Sequence, residues 1–137
     1  MLMPLASAPM ADPSGPFADP LQVAILFISE PQDPPLLENE MFLRQLGAMR
    51  LADTERQVWE LAAVDLAVRE KDISDDWVVV SFSEKLAEWL SLQRPRLNLI
   101  KTYSPAECAQ RPALKRQVWD DLKRAMEKAG LSSRLQS

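Results

Sequence analysis

The residues of this chain best suited to chemistry gather near its end, in IKTYSPAECAQRPALKRQVWDDLKRAMEKAG, residues 100–130. That stretch carries the single cysteine, Cys108, and the cations Lys115, Arg116, Lys123 and Arg124 beside Asp120 and Asp121. A thiol becomes a nucleophile when a neighbouring base or cation lowers its pKa. The chain has no histidine, so Cys108 lacks the usual activating base and a nucleophile role is not expected. The same absence removes the commonest metal ligand, and neither a zinc site nor any other cofactor is expected. The four cations are able to meet phosphate, but their alternation with aspartates reads as a solvated helix face. Trp59, Trp77, Trp89 and Trp119 have the chemistry of interface anchors; with Phe27, Phe42 and Phe82 they read first as core.

The elements that position these residues belong to one domain. A length of 137 residues, 47% apolar and 26% charged, fits a single soluble globular unit. No apolar run approaches the roughly 20 residues of a bilayer span. The start, MLMPLASAPMADPSGPFADP, lacks the basic opening of a signal peptide and is broken by Pro4 and Pro9, so a cytoplasmic protein is expected. Residues 1–20 hold 5 of the 11 prolines and no positive charge, the composition of a flexible tail. The domain is expected over residues 21–130, with residues 131–137 as a C-terminal tail.

Charge is segregated along the chain. Residues 1–93 carry 6 Lys/Arg against 16 Asp/Glu and residues 94–137 carry 10 against 4, so halves of −10 and +6 give the net −4. The basic half is able to attract phosphate or an acidic protein tail. The plainer expectation is that the halves pack together and neutralise each other.

QVAILFIS, Gln22 to Ser29, is an unbroken apolar run of the kind that forms a strand covered on both faces. LLENEMFLRQLGAM places Leu36, Leu37, Met41, Leu43 and Leu46 near a helical repeat that Gly47 can end. DTERQVWELAAVDLAV is ambiguous: Thr54 can cap a helix, which the pattern alone favours, yet Val58 to Val64 reads as a strand. DDWVVVSF is a β-branched strand, and SEKLAEWLSLQ a helix capped by Ser83 with Leu86, Trp89 and Leu90 inward. RLNLIKTY supplies a further strand, and a last helix follows with Leu114, Val118, Leu122, Ala125 and Met126 on one face, stopped by Gly130. Strands alternating with helices imply a three-layer α/β fold: a mostly parallel four-stranded sheet with helices on both faces.

Three blocks carry a family resemblance. VAILFISEPQDPPLLENEMFLRQL resembles the first strand, loop and helix of the uracil-DNA glycosylase superfamily; WVVVSFSEKLAEWL resembles its third strand and following helix. IKTYSPAECAQRPALKRQVWDDLK is similar to the "TYHPS-x-L-x-x-P-x-x-K-x-x-x-W-x-DL" end of that superfamily, and is the specific block. The resemblance spans residues 21–130, implies a uracil-DNA glycosylase-like fold, and implies that RQVWEL is its second strand. It also places Ser104 where the enzymes keep the histidine that stabilises the departing base, and Ser29-Glu30-Pro31-Gln32-Asp33 where they keep a glycine-bearing loop. Glu30 or Asp33 is able to position a water, but nothing replaces the missing charge stabilisation at the leaving base, so no catalysis is expected.

A family with this emptied arrangement is the psi subunit of bacterial DNA polymerase III, similar in its length, its Asp-Pro loop after the first strand and its Ser-Pro-Ala turn, here Ser104-Pro105-Ala106. The resemblance implies a non-catalytic accessory subunit of the clamp loader. Its domain would bind the chi subunit, and through chi the single-stranded DNA-binding protein, while an N-terminal extension docks on the clamp loader gamma/tau subunit. The tail departs from the family's Leu-Gly-Ile and tryptophan pattern and offers Leu2, Met3, Leu5 and Phe17 as apolar anchors. With net −4 and no aromatic-basic strip, direct binding to nucleic acid is expected to be weak or absent. The alternative expectation is a catalytically inactive or divergent glycosylase homologue that recognises DNA.

Overall fold

The computed structural model describes residues 23 to 136. Among them four strands, β1 (Ile25–Ser29), β2 (Arg56–Glu60), β3 (Val78–Ser81) and β4 (Asn98–Lys101), form one sheet in the order β2-β1-β3-β4. Every neighbouring pair is parallel, so the sheet is parallel throughout. The helices are α1 (Glu40–Met49), α2 (Ala63–Arg69), α3 (Glu84–Gln93), α4 (Pro105–Gln110) and α5 (Leu114–Lys128).

Strand periodicity sorts the core into two layers. Ile25, Phe27, Val78 and Val80 point to one face, where α1 brings Phe42, Leu46 and Met49 and α5 brings Val118, Leu122, Ala125 and Met126. Leu26, Ile28 and Val79 point to the other, against Leu66 of α2 and Leu86 and Leu90 of α3. The chain steps from β1 to β2 in one direction and from β2 through β3 to β4 in the other. Right-handed crossovers then force α1 onto one face and α2 and α3 onto the opposite one. Phe42 meets Phe27 and Phe82 edge-on at 5.5 and 5.6 Å, which locks α1 onto the sheet.

The first helix departs from the sequence pattern. Leu36–Glu38 is a separate 3-10 turn, because Asn39 is extended and caps α1, its Oδ1 accepting from the Phe42 N–H at 3.0 Å. The buried stripe is therefore Phe42, Leu46 and Met49, while Leu37 and Leu43 are 53% and 44% exposed. Gly47 does not end the helix; the chain leaves at Arg50, which takes the left-handed conformation at φ 57°. The ambiguous stretch divides: Arg56–Glu60 is strand and the helix begins only at Ala63, so Thr54 caps no α-helix. Trp59 and Trp77 are buried, whereas Trp89 and Trp119 are half-buried.

The two charge halves neutralise each other in part. Among the described residues, ion pairs crossing from residues 94–137 to residues 1–93 join Arg94 to Glu70 and Asp75, Lys101 to Glu84, and Arg134 to Glu55. The last of these anchors a 3-10 turn, Ser132–Gln136, whose Leu135 packs with Leu131 against the α1/α5 core.

Two outcomes test this account. Gly47 is helical, and a Cβ added there meets nothing within 4 Å. Gly47→Ala is therefore expected to raise unfolding free energy by about 0.5–1 kcal/mol in chemical denaturation. Glu55 is held below the ordinary carboxylate range by the Arg134 guanidinium and by the Ala52 N–H. A carboxylate held low when folded contributes its stability above the ordinary range and loses it as pH falls through the folded value. Glu55→Gln is expected to lower stability near pH 7, with the deficit closing as pH falls below the ordinary carboxylate range.

Candidate functional site

Strand order reverses between β1 and β3, and in an open α/β sheet the crevice beyond the carboxyl ends of the strands at that point is where ligands bind. Here it is a hollow of about 390 Å³, walled by the loop after β1 and by the starts of α3 and α4. Ser29, Glu30 and Ser104 are brought together in its wall, joined by Gln32, Ser83, Glu84, Lys85 and Glu107. Asp33 lies farther along the loop, exposed, and does not line the hollow. Leu2, Met3, Leu5 and Phe17 lie outside the described residues.

Each hydroxyl in this wall already serves its own turn. Ser104 is the N-cap of α4: its Oγ accepts from the Glu107 N–H at 3.1 Å, and its own N–H donates to Glu107 Oε1 at 2.9 Å. With Pro105 in the first turn, this reciprocal pair satisfies amides that would otherwise be orphaned. Ser83 caps α3, accepting from the Leu86 N–H at 3.2 Å, and donates to Glu30 Oε2 at 2.7 Å. Ser29 Oγ donates to the Glu30 carbonyl at 2.8 Å and accepts from Gln32 Nε2 at 3.3 Å. Ser81, fully buried, donates to the Ser83 carbonyl at 2.7 Å and closes the turn between β3 and α3.

The charge of the crevice follows. Glu30, Glu84 and Glu107 line it, and Lys85 is the only cation among its described lining residues. Glu30 reaches the end of α3 that an incoming anion would use, so the chain's own carboxylate occupies the place that favours negative charge. The Glu30–Ser83 contact pairs an acid with a hydroxyl, but Ser83 is only 7% exposed and its oxygen is engaged by a backbone amide. Cys108, one turn into α4, is fully buried, and burial pushes its thiol pKa up, with Glu107 acting in the same direction. An unactivated thiol and capped serines supply no nucleophile. Among the described residues no cluster of three or more His, Cys, Asp or Glu side chains is placed to hold a metal ion, and no helix is long and apolar enough to cross a membrane.

The loop after β1 is fixed by a residue that the sequence reading did not single out. Glu60, the last residue of β2, accepts from the Leu36 N–H at 2.8 Å and from the Gln32 N–H at 3.3 Å. No local signal announces that contact, because its partners lie 24 and 28 residues away. The capping role of Ser104 was not singled out either, although Ser104-Pro105-Ala106-Glu107 after a strand carries the S-x-x-E signal of a capping box. Comparison with known proteins adds no name to this geometry: no family model, no curated protein and no solved structure matches the chain.

Replacing Glu60 removes a carboxylate from two amides, and bonds to charged groups are each worth about 1.5–3 kcal/mol. Glu60→Ala is expected to destabilise the domain by about 2 kcal/mol and to speed hydrogen exchange at the Gln32 and Leu36 amides. Unchanged exchange at those two amides would show that Glu60 does not hold the loop.

Proposed function

We propose that the chain is a psi-like protein: a non-catalytic accessory subunit that bridges the clamp loader of bacterial DNA polymerase III to chi, and through chi to single-stranded DNA-binding protein. The observation that carries this reading is the state of the crevice. The positions that the resemblance matches to a glycosylase site, Ser29, Glu30 and Ser104, share one wall; Ser29 and Ser104 bond within their own turns and Glu30 accepts from Ser83 at the start of α3. In a uracil-DNA glycosylase-like arrangement that wall would instead present a histidine toward the departing base. Apart from Lys85, the side chains around the crevice present carboxylates and bonded hydroxyls, a poor set of donors for developing charge. Its Glu30, Glu84 and Glu107 also oppose a phosphodiester backbone, which favours the scaffold over the DNA-recognising alternative.

The α/β domain then acts through its outer surfaces. Helices cover both sheet faces, so chi would use helix surfaces or a sheet edge, over about 800 Å² per partner. The first block of the resemblance, Asp33-Pro34 after β1, and the last, Ser104-Pro105-Ala106 at the start of α4, sit at the same end of the sheet and support the psi-like assignment.

The test has two arms. Uracil release from single- and double-stranded DNA by the full chain is expected to equal a no-protein control. Titration with a chi subunit, followed by calorimetry and size-exclusion chromatography, is expected to give a one-to-one complex. Turnover that disappears on Glu30→Gln would sink the scaffold reading; failure to bind chi at micromolar concentration would remove the psi-like assignment.

A further inference from the structure

α1 and α5 pack side by side on one face of the sheet, and a groove of about 370 Å³ opens between them. Its lining is mainly apolar, with Met41 and Ala48 from α1 and Trp119 from α5, and Met41 and Trp119 also pack against the core beneath. The floor is therefore held by the fold and is not a loose surface cluster. Past Met41 and Lys115 the groove continues into a second hollow of about 180 Å³ bounded by Pro105 and Ala109. The shape is elongated, which suits a chain segment better than a compact small molecule.

Each wall carries a cation, Arg44 on α1 and Lys115 on α5. Lys115 lies in the first turn of a 15-residue helix that has no acidic residue there, where the helix field opposes positive charge. Among the described residues no carboxylate lies within ion-pair distance of Lys115, Arg116 or Arg111. The cross-chain neutralisation that absorbs Arg94, Lys101 and Arg134 does not reach them. Arg44 is held by Glu40 in an exposed pair four residues away on the same helix, an interaction worth little and readily exchanged for another carboxylate. Trp, Met and Arg, three of the side chains that line the groove, are types enriched at protein interfaces.

We infer that the groove between α1 and α5 docks a protein segment carrying one large apolar side chain flanked by carboxylates. The apolar side chain sits over Trp119 and Met41, and its flanking carboxylates meet Lys115 and Arg44. Nucleic acid fits less well, because a single half-buried aromatic offers no stacking platform and Glu40 stands on the rim. This goes beyond the psi-like reading and does not depend on it.

The test uses the full chain and a fluorescein-labelled peptide with one Phe between runs of Asp, followed by anisotropy. Two exposed substitutions are compared, Lys115→Glu and Ala48→Glu, each checked by circular dichroism and thermal melting. Saturable binding is expected, weakened by salt and by replacing the peptide's Phe with Ala, and reduced about tenfold by each protein variant. Absence of saturable binding below about 1 mM would overturn the proposal, as would affinity in both folded variants equal to that of the unsubstituted chain. Two further results would assign another occupant and overturn it as well. One is dimerisation of the chain that Lys115→Glu abolishes; the other is a synthetic peptide of residues 1–22 that displaces the probe more tightly than the probe itself binds.

Discussion

Two-sided burial of β1 is the constraint on which this structure rests. Ile25, Leu26, Phe27 and Ile28 are inaccessible and Ser29 is 2% exposed, so a strand of five residues meets a helical layer on each face and a parallel neighbour on each edge. Parallel neighbours require crossovers, and a crossover must return over one face or the other. Because β2 and β3 flank β1 on opposite sides, the faces are used in turn and the strand order reverses beside β1. The crevice is a consequence of that reversal: its position is set by the central strand, whatever lines it.

What lines it decides what the crevice can do. The helix starts around such a crevice present amides with no partner inside their helices, and they must be satisfied by caps or by a ligand. In this chain Ser83 takes the Leu86 amide of α3 and Ser104 the Glu107 amide of α4, and Glu30 and Glu107 add negative charge where an anion would otherwise be drawn. Self-capping stabilises the fold and lowers the positive character of these helix starts with the same hydrogen bonds. Glu60 completes the arrangement by fixing the backbone of the loop after β1 from the neighbouring strand. The loop after β1 and the two helix starts are thereby tied into one hydrogen-bonded rim around the crevice.

Charge follows a parallel logic. Arg94 joins the end of α3 to the connection before β3, bonding Glu70 and Asp75 and the carbonyls of Glu70 and Ile73. Both partner carboxylates favour its charged form and hold its pKa above the ordinary value. Arg134 does the same for the C-terminal turn. These residues use the opposite charges of the two halves to join segments distant in sequence. The cations at the start of α5 take no part, and the uneven use of positive charge separates the α1/α5 groove from the rest of the surface.

Much of the fold was legible in the residues alone. The apolar run within 22–29 and the β-branched run within 75–82 located the buried strands β1 and β3, and the 3.6-residue spacing of Val118, Leu122, Ala125 and Met126 gave the buried face of α5, because these patterns report burial directly. Ser83 as a cap and Gly130 as a stop, at φ 75°, were legible because local hydrogen bonding and backbone sterics decide them. Local pattern failed where tertiary contact overrode it: Leu37 and Leu43 look like core but face solvent, since Asn39 resets the phase of α1 and presents Phe42 to Phe27 and Phe82. The strand at Arg56–Glu60 was undecidable from its own spacing and is fixed by pairing with β1. The site divided in the same way. The sequence by itself determined that no histidine is present, and it carries at residues 104–107 the local capping signal that the structure realises. Only the tertiary structure decided that Glu30 turns to Ser83, that Asp33 stays outside the hollow and that Glu60 holds the loop, because each depends on strands adjacent in space and remote along the chain.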